Sequence, residues 1–308
     1  MIQIESSSDV VNFAHMSEVD MALAGYLARY KNQNTFNLYK YHLKCFVTWC
    51  TQQGLHILHD VKRGHIEFYV RHLIEERKLS AATVNSAMTP VKGFYDFAVW
   101  DQYIAADPAR KIALPKLQYK KSEPLTSREL NLFLETAKHT SPRHWCLCTL
   151  LCSMGMRISE AASLDLENYK GLESGSPSLT FVEKGGNLRT MPVPLPVLAA
   201  IESARKGRNN GPLLVQLDGK SRLSRGGAAG LVSTVNRRAA KEGLKRNVNP
   251  HLLRKMAITI ALESNMSIRD VQAFARHADP RTTSRHYDLG STNSYRHPVH
   301  QIASQLSI

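Results

Sequence analysis

Residues 249–287 read NPHLLRKMAITIALESNMSIRDVQAFARHADPRTTSRHY, and this stretch decides how the second half of the chain is organised. Pro250 suits the first turn of a helix, and the three-residue spacing places His251 and Arg254 on one face of it. The buried side is predicted from the apolar positions Leu253, Ala257, Ile260 and Ala261. The edge that carries His251 and Arg254 is therefore expected beside the core rather than in it, where both side chains can share one ligand.

A second helix is predicted directly after the first. Ser267 followed by Asp270 is typical of a capping box. The apolar stripe of this helix is Ile268, Val271, Phe274 and Ala275. The polar stretch behind it places arginines and histidines next to Tyr287, which suggests that the phenol is a nucleophile toward phosphate. A tyrosine near a C-terminus more often only packs, so this stretch alone leaves both interpretations open.

Two further basic groups lie upstream. In GMRISEAASL, residues 155–164, Arg157 stands between a glycine that ends one helix and the short helix that follows. Lys184 opens KGGN, the turn of a β-hairpin predicted between residues 179–182 and 188–193. A lysine beside two glycines is usually only a turn residue, so the combination of motifs matters more than any one of them.

In this order, the motifs resemble the full active-site set of the tyrosine recombinase (phage integrase) family, from about residue 20 to the C-terminus. The residues that carry the resemblance are Arg157 in Gly-x-Arg-x-Ser-Glu, Lys184, His251 and Arg254 in His-x-x-Arg, His277 and Tyr287. The family fold implied is mainly α, with a SAM-like N-terminal helical bundle that binds DNA. A basic linker joins this bundle to a mixed α+β catalytic domain with a small antiparallel sheet.

The resemblance also implies roles. Tyr287 would attack the scissile phosphate, His251 would accept its proton, and Lys184 would protonate the leaving 5′ oxygen. His277 is expected as a further donor to phosphate, and Glu160 as a residue that steadies an arginine or a histidine. Ionising a phenol of pKa about 10 at pH 7 costs on the order of 4 kcal/mol, which nearby cations must offset.

Arg157 and Arg254 fit that task, because planar guanidinium groups bind the non-bridging oxygens of a phosphate and stabilise its pentacoordinate transition state. They would act in place of a metal ion, so neither a metal nor a cofactor is expected. Three of the five cysteines, Cys146, Cys148 and Cys152, follow His144 with spacings that invite a metal interpretation. Leucines surround them at helical spacing, which predicts a buried apolar helix instead.

Two features depart from the family pattern. Arg276 stands where the family has a glycine before the histidine, and the spacing from His277 to Tyr287 is one residue longer than usual. Tyr295 is the alternative nucleophile, but it lies much further along the chain, so Tyr287 remains the predicted one.

The chain is strongly basic, with 40 Lys and Arg against 26 Asp and Glu and a net charge of +14 over 308 residues. Such an excess favours a polyanionic partner, and nucleic acid first. An anionic membrane is the alternative, but no apolar run approaches the ~18–20 residues of a spanning helix. The N-terminus lacks the apolar segment of a signal peptide, so a cytoplasmic location is expected.

Four segments are predicted: a flexible tail over residues 1–18, a helical core-binding domain over 19–107, a linker over 108–124, and the catalytic domain over 125–308. Pro90 is expected to kink or split one helix of the first domain. Basic residues expected to contact DNA are Lys40, Lys44, Arg110, Lys111, Lys116, Lys120, Lys121, Arg237, Arg238 and Lys241.

The predicted function is site-specific recombination of double-stranded DNA through a 3′-phosphotyrosyl intermediate, by a homotetramer on paired sites. A type IB topoisomerase-like relaxation activity and a non-catalytic sequence-specific DNA-binding protein are the alternatives. The apolar stripe of Val299, Ile302, Ala303 and Leu306 predicts a C-terminal helix. In the family this segment commonly docks on a neighbouring protomer, and the same trans docking is expected here.

Overall fold

A computed structural model describes residues 15–117, 124–172, 175–183, 186–264 and 266–276. The chain divides into two compact units, residues 1–120 and residues 121–308. The predicted segment boundaries after residues 18, 107 and 124 stay a prediction.

The described part of the first unit is helical. Its helices are α1 (Glu18–Ala28), α2 (Gln33–Gln52), α3 (Arg63–Glu75) and α4 (Ala81–Trp100). Ser17, Asn32 and Ser80 cap α1, α2 and α4 by accepting backbone N–H groups of the first turn. Fully buried aromatic rings, Tyr26, Phe46, Phe94 and Tyr95 among them, fill the space between the helices. Ala109 and Ile112 of the predicted linker pack into this same core.

Helix α4 does not split at Pro90, contrary to one of the two outcomes expected from the sequence. The proline is itself buried, and the apolar stripe continues on both sides of it with Met88, Val91 and Phe94. Packing of that stripe therefore outweighs the hydrogen bond that the proline removes from the helix.

The second unit is mixed α and β. Its helices are α5 (Ser127–Thr140), α6 (Pro142–Ser153), α7 (Ile158–Ala162), α8 (Leu195–Arg205), α9 (Arg225–Lys241), α10 (Pro250–Glu263) and α11 (Ile268–Ala275). Its strands are β1 (Tyr169–Lys170), β2 (Ser178–Val182) and β3 (Leu188–Pro192), in the order β1-β2-β3. Both pairings are antiparallel, and Val182 lies opposite Leu188 at the end of the hairpin. The predicted hairpin and its turn position agree with this register, whereas the two-residue β1 was not predicted.

Helix α6 lies at the centre of the second unit and packs against α5, α8 and α10. Its cysteines Cys146, Cys148 and Cys152 are buried, as the periodicity predicted, and burial raises the pKa of the Cys146 thiol to about 12. In the part of the chain that the structure describes, no three His, Cys, Asp or Glu side chains are grouped to hold a metal ion. No described helix combines the length and the apolar surface that crossing a bilayer requires.

Candidate active site

Arg157 and Glu160 form the first element of the site. Gly155 follows α6 with φ +57°, and a side chain there would meet the ring of Phe274 at 3.0 Å. This turn delivers Arg157 to the start of α7, where both its backbone N–H and its Nη1 donate to Glu160 at 2.7 Å. The Glu160 carboxylate is only 3% exposed, whereas 27% of the Arg157 side chain faces solvent. The arginine is therefore anchored by a buried carboxylate while part of its side chain stays accessible to solvent.

Arg254 lies in α10, one turn after the Asn249 cap that begins the helix. It is 5% exposed, so it lies in the core and not beside it as the apolar pattern suggested. The burial has a clear reason, because Nη1 donates to the carbonyl of Gly155 and Nη2 donates to the carbonyl of Ala275. Ile260, assigned to the buried side from the sequence, is instead 44% exposed.

The charge of Arg254 persists in this setting. Burial first, and then repulsion from Arg157 and Arg276, lowers its pKa to about 10, while Glu160 and Glu183 oppose the change. A guanidinium with that pKa is still protonated at pH 7. The second unit thus holds a buried positive charge next to the partly exposed charge of Arg157.

His251 occupies the exposed start of α10, three residues before Arg254. Desolvation of the imidazole, with repulsion from Arg254 and Lys255, lowers the pKa of His251 below its usual 6.5. The imidazole is consequently neutral at pH 7 and has a nitrogen available to accept a proton.

Arg276 joins this cluster, although the sequence identified it only as a departure from a family pattern. It ends α11 in the left-handed region, with φ 52°, which costs a residue other than glycine about 1–2 kcal/mol. Its side chain is 4% exposed, donates to the Gly155 carbonyl at 2.8 Å and lies 3.1 Å from Glu160. Its backbone carbonyl accepts from Nη2 of Arg157 at 3.0 Å. Such a strained position persists only where surrounding contacts hold it.

Three of the predicted catalytic residues, Lys184, His277 and Tyr287, lie outside the described residues, as do Tyr295 and the C-terminal stripe. The structure brings Arg157, Glu160 and Arg254 together and places His251 on the same helix as Arg254. Of the predicted DNA contacts, Lys44, Arg110, Lys111 and Lys116 are exposed in the first unit and Arg237, Arg238 and Lys241 in the second. Lys40 is half-buried, and Lys120 and Lys121 fall outside the described part.

Family comparison identifies the class of protein that this fold and site define. The description "Phage integrase family" matches residues 123–293, and "Phage integrase, N-terminal SAM-like domain" matches residues 23–102. Because the first match covers more than half of the chain, the chain belongs to the phage integrase family.

Individual relatives agree with this assignment. Tyrosine recombinase XerD of Mycobacterium tuberculosis (strain CDC 1551 / Oshkosh) is 28% identical over 308 aligned residues, which cover 91% of this chain and 96% of that protein. XerD of Corynebacterium glutamicum is 27% identical over 265 residues, covering 81% of this chain and 86% of that protein. A lambda integrase tetramer bound to a Holliday junction shares the fold, with TM-score 0.70 and 17% identity over 87% of this chain and 75% of that one. The predicted family, the predicted fold class and the predicted enzyme class, a site-specific tyrosine recombinase, are confirmed.

Proposed function

We propose that this chain cuts and rejoins double-stranded DNA at specific sites, working as a homotetramer on two paired sites. The protein's charge of +14 suits a phosphate-rich partner. The lambda integrase that shares its fold was solved as a tetramer on a Holliday junction, which motivates the same assembly here. The proposal includes a cytoplasmic location, where the protein would act on DNA.

The chemistry we propose is a transfer of the phosphate between two oxygens. The Tyr287 phenol gives its proton to His251 and attacks phosphorus, and the bond from phosphorus to the 5′ oxygen breaks. The leaving 5′ oxygen takes a proton from Lys184. The products are a 3′-phosphotyrosyl DNA and a free 5′-hydroxyl, and attack by the hydroxyl of another strand reverses the sequence. The bond energy is conserved, so the cycle uses no nucleotide cofactor.

One observation carries the proposal: the guanidinium groups of Arg157 and Arg254 are both held in place by hydrogen bonds. Arg157 donates from Nη1 to Glu160 at 2.7 Å and from Nη2 to the carbonyl of Arg276 at 3.0 Å, and Arg254 donates to the carbonyls of Gly155 and Ala275. Rigid cationic donors of this kind stabilise charge that develops on a phosphate in the transition state. His277, whose position is not described, would add a further donor.

The two alternative functions, DNA binding without catalysis and topoisomerase-like relaxation, account for fewer of these features. A protein that only binds DNA needs a basic surface, but binding alone does not require two guanidinium groups held in fixed positions. A type IB topoisomerase-like enzyme would share the chemistry but would rejoin only the strand that it cut. Neither alternative is favoured by a specific observation on this chain.

A two-duplex joining assay tests the proposed function. Random duplexes selected by binding to the protein supply the DNA site, and two copies of that site are given different fluorescent labels. We expect products that carry both labels, with no metal or nucleotide added. Relaxation of supercoiled plasmid without any doubly labelled product would favour the topoisomerase-like alternative, and binding without any covalent adduct would favour the DNA-binding protein.

Removing residues 297–308 is predicted to uncouple binding from assembly. The terminal stripe is too short to be stable alone, since isolated helices below about 12–15 residues are marginal in water, and we propose that it docks on a neighbouring protomer. The truncated protein should bind a single half-site with unchanged affinity, lose cooperative filling of the second half-site, and recombine poorly. Gel-shift titration on one-site and two-site duplexes measures both quantities. Undiminished cooperativity would assign the stripe to its own domain.

A further inference from the structure

Arg276 is the third arginine of the candidate active site, its side chain is only 4% exposed, and the mechanism above gives it no role. Its guanidinium group contacts three separate segments of the second unit: the carbonyl of Gly155, the carboxylate of Glu160 at the start of α7, and Glu183 at the end of β2. The cation also lies 4.9 Å from the centre of the Phe181 ring. One side chain at the end of α11 therefore ties together the turn, the short helix and the hairpin.

Glu160 is shared between two arginines. Its Oε1 accepts from Nη1 of Arg157 at 2.7 Å, and its Oε2 lies 3.1 Å from Nη2 of Arg276. The Arg276 carbonyl accepts from the other terminal nitrogen of Arg157 at 3.0 Å. Arg157 is thus held from two directions, by a carboxylate that Arg276 also binds and by the backbone of Arg276 itself.

The charges of the cluster give the second part of the argument. Among the described residues, Arg157, Arg254 and Arg276, with Arg189 nearby, face the carboxylates of Glu160 and Glu183, so positive charge is in excess. Without the Arg276 guanidinium this excess falls by one charge. The cluster would then attract a phosphate less strongly, because Glu160 would neutralise more of the charge of Arg157.

Glu183 fits Arg276 as its electrostatic counterpart. Its Oε1 lies 3.9 Å from Nε of Arg276, and both atoms are buried without a hydrogen bond within the described ranges. The Glu183 side chain is partly buried, and a cation beside its buried oxygen stabilises it, since burying a charged oxygen without a partner is costly. Arg276 and Glu183 therefore stabilise each other electrostatically in the site.

We propose that Arg276 is a positioning residue for strand cleavage, which binds Glu160 and Glu183 and so leaves Arg157 correctly held and with its charge available to the scissile phosphate. The inference rests on the proposed function, because it assigns Arg157 to that phosphate. The terminal nitrogens of Arg276 already contact Met191, Gly155 and Glu160, so we assign its effect to Arg157 and not to a DNA contact of its own.

The test compares Arg276→Gly, Arg276→Lys and the control Arg269→Ala, which alters an exposed arginine on the same helix. Glycine accepts the left-handed backbone conformation, so Arg276→Gly removes the guanidinium without adding strain. We expect half-site affinity to stay unchanged and the single-turnover cleavage rate to fall about 10–100-fold, the usual cost of losing a group that orients a catalytic one. Arg276→Lys should recover part of the rate, and Arg269→Ala should cleave like the wild type.

A methylphosphonate substrate separates positioning from a purely structural role. It replaces one non-bridging oxygen of the scissile phosphate with a methyl group and removes the negative charge that Arg157 recognises. If Arg276 acts through Arg157, the loss caused by Arg276→Gly should largely disappear on this substrate, and adding Arg157→Ala should cost little more on the natural one. A merely structural role predicts the same loss on both substrates and additive effects.

Each outcome of these cleavage experiments either supports or overturns the positioning role of Arg276. A wild-type rate in Arg276→Gly, or an equal loss on both substrates, overturns the inference while leaving the proposed function intact. If Arg276→Gly does not melt cooperatively, the same comparison is made with Arg276→Lys, whose single ammonium group retains the charge but cannot reach both carboxylates. Failure of the wild-type protein to form any covalent adduct would instead count against the proposed function.

Discussion

Tyr287→Phe is expected to bind its DNA site with unchanged affinity and to form no covalent complex on a nicked suicide substrate. The substitution removes one oxygen, the proposed attacking atom, and leaves an aromatic ring of nearly the same size. Phenylalanine has no oxygen at this position with which to form a phosphotyrosyl bond. The adduct is measured as a protein–DNA band that survives denaturing electrophoresis.

Tyr295→Phe is the matched control, since Tyr295 is the alternative nucleophile. It should form the adduct at the wild-type rate, and mass spectrometry of the wild-type adduct should locate the nucleotide on Tyr287. Persistence of the adduct in Tyr287→Phe, or a peptide modified at Tyr295, would refute the assignment. The longer spacing from His277 would then mark a real change of nucleophile in this chain.

Arg254→Lys is expected to have the second largest effect, on activity and on stability together. Lysine keeps the charge but offers one ammonium group where Arg254 donates to the carbonyls of Gly155 and Ala275. Loss of a fixed donor to the phosphate should slow cleavage about 10²–10³-fold. A carbonyl left without its donor in the core should lower the free energy of unfolding by about 1–3 kcal/mol.

Single-turnover cleavage and urea unfolding measure the two effects separately. Arg269→Lys, on an exposed surface of α11, is the control and should match the wild type in both experiments. If Arg254→Lys cleaves at the wild-type rate when the DNA site is fully occupied, Arg254 does not have the proposed role of binding the scissile phosphate. A changed stability with unchanged cleavage would leave it a purely structural role.

Local patterns predicted the secondary structure around the site well. Pro250 begins α10, Ser267 caps α11 by accepting from the N–H of Asp270, and the turn residues between 182 and 188 join an antiparallel hairpin. These features depend on neighbouring residues, and a short stretch of sequence contains all the information that they need. The order of the motifs along the chain likewise predicted the protein family correctly.

Burial of the arginines could not be predicted in this way. Arg254 is buried because carbonyls 99 and 21 residues away in the chain accept its hydrogen bonds, and periodicity does not register such partners. The sequence identified Arg276 only as an arginine where the family has a glycine, because its partners, Glu160 and Glu183, lie far upstream. Periodicity assigns charged residues to solvent, and it fails where tertiary contacts compensate a buried charge.

The pairing of Arg276 with Glu183 also restricts the order in which this site can change during evolution. Exchanging Arg276 for glycine alone leaves the partly buried carboxylate of Glu183 without its cation, whereas exchanging Glu183 first leaves the arginine with Glu160. The first order of substitution therefore passes through a less active intermediate protein, and the second does not. Chimeras that import the end of α11 from a relative should therefore fail unless the end of β2 is imported with it, an epistasis that a scan of single substitutions would miss.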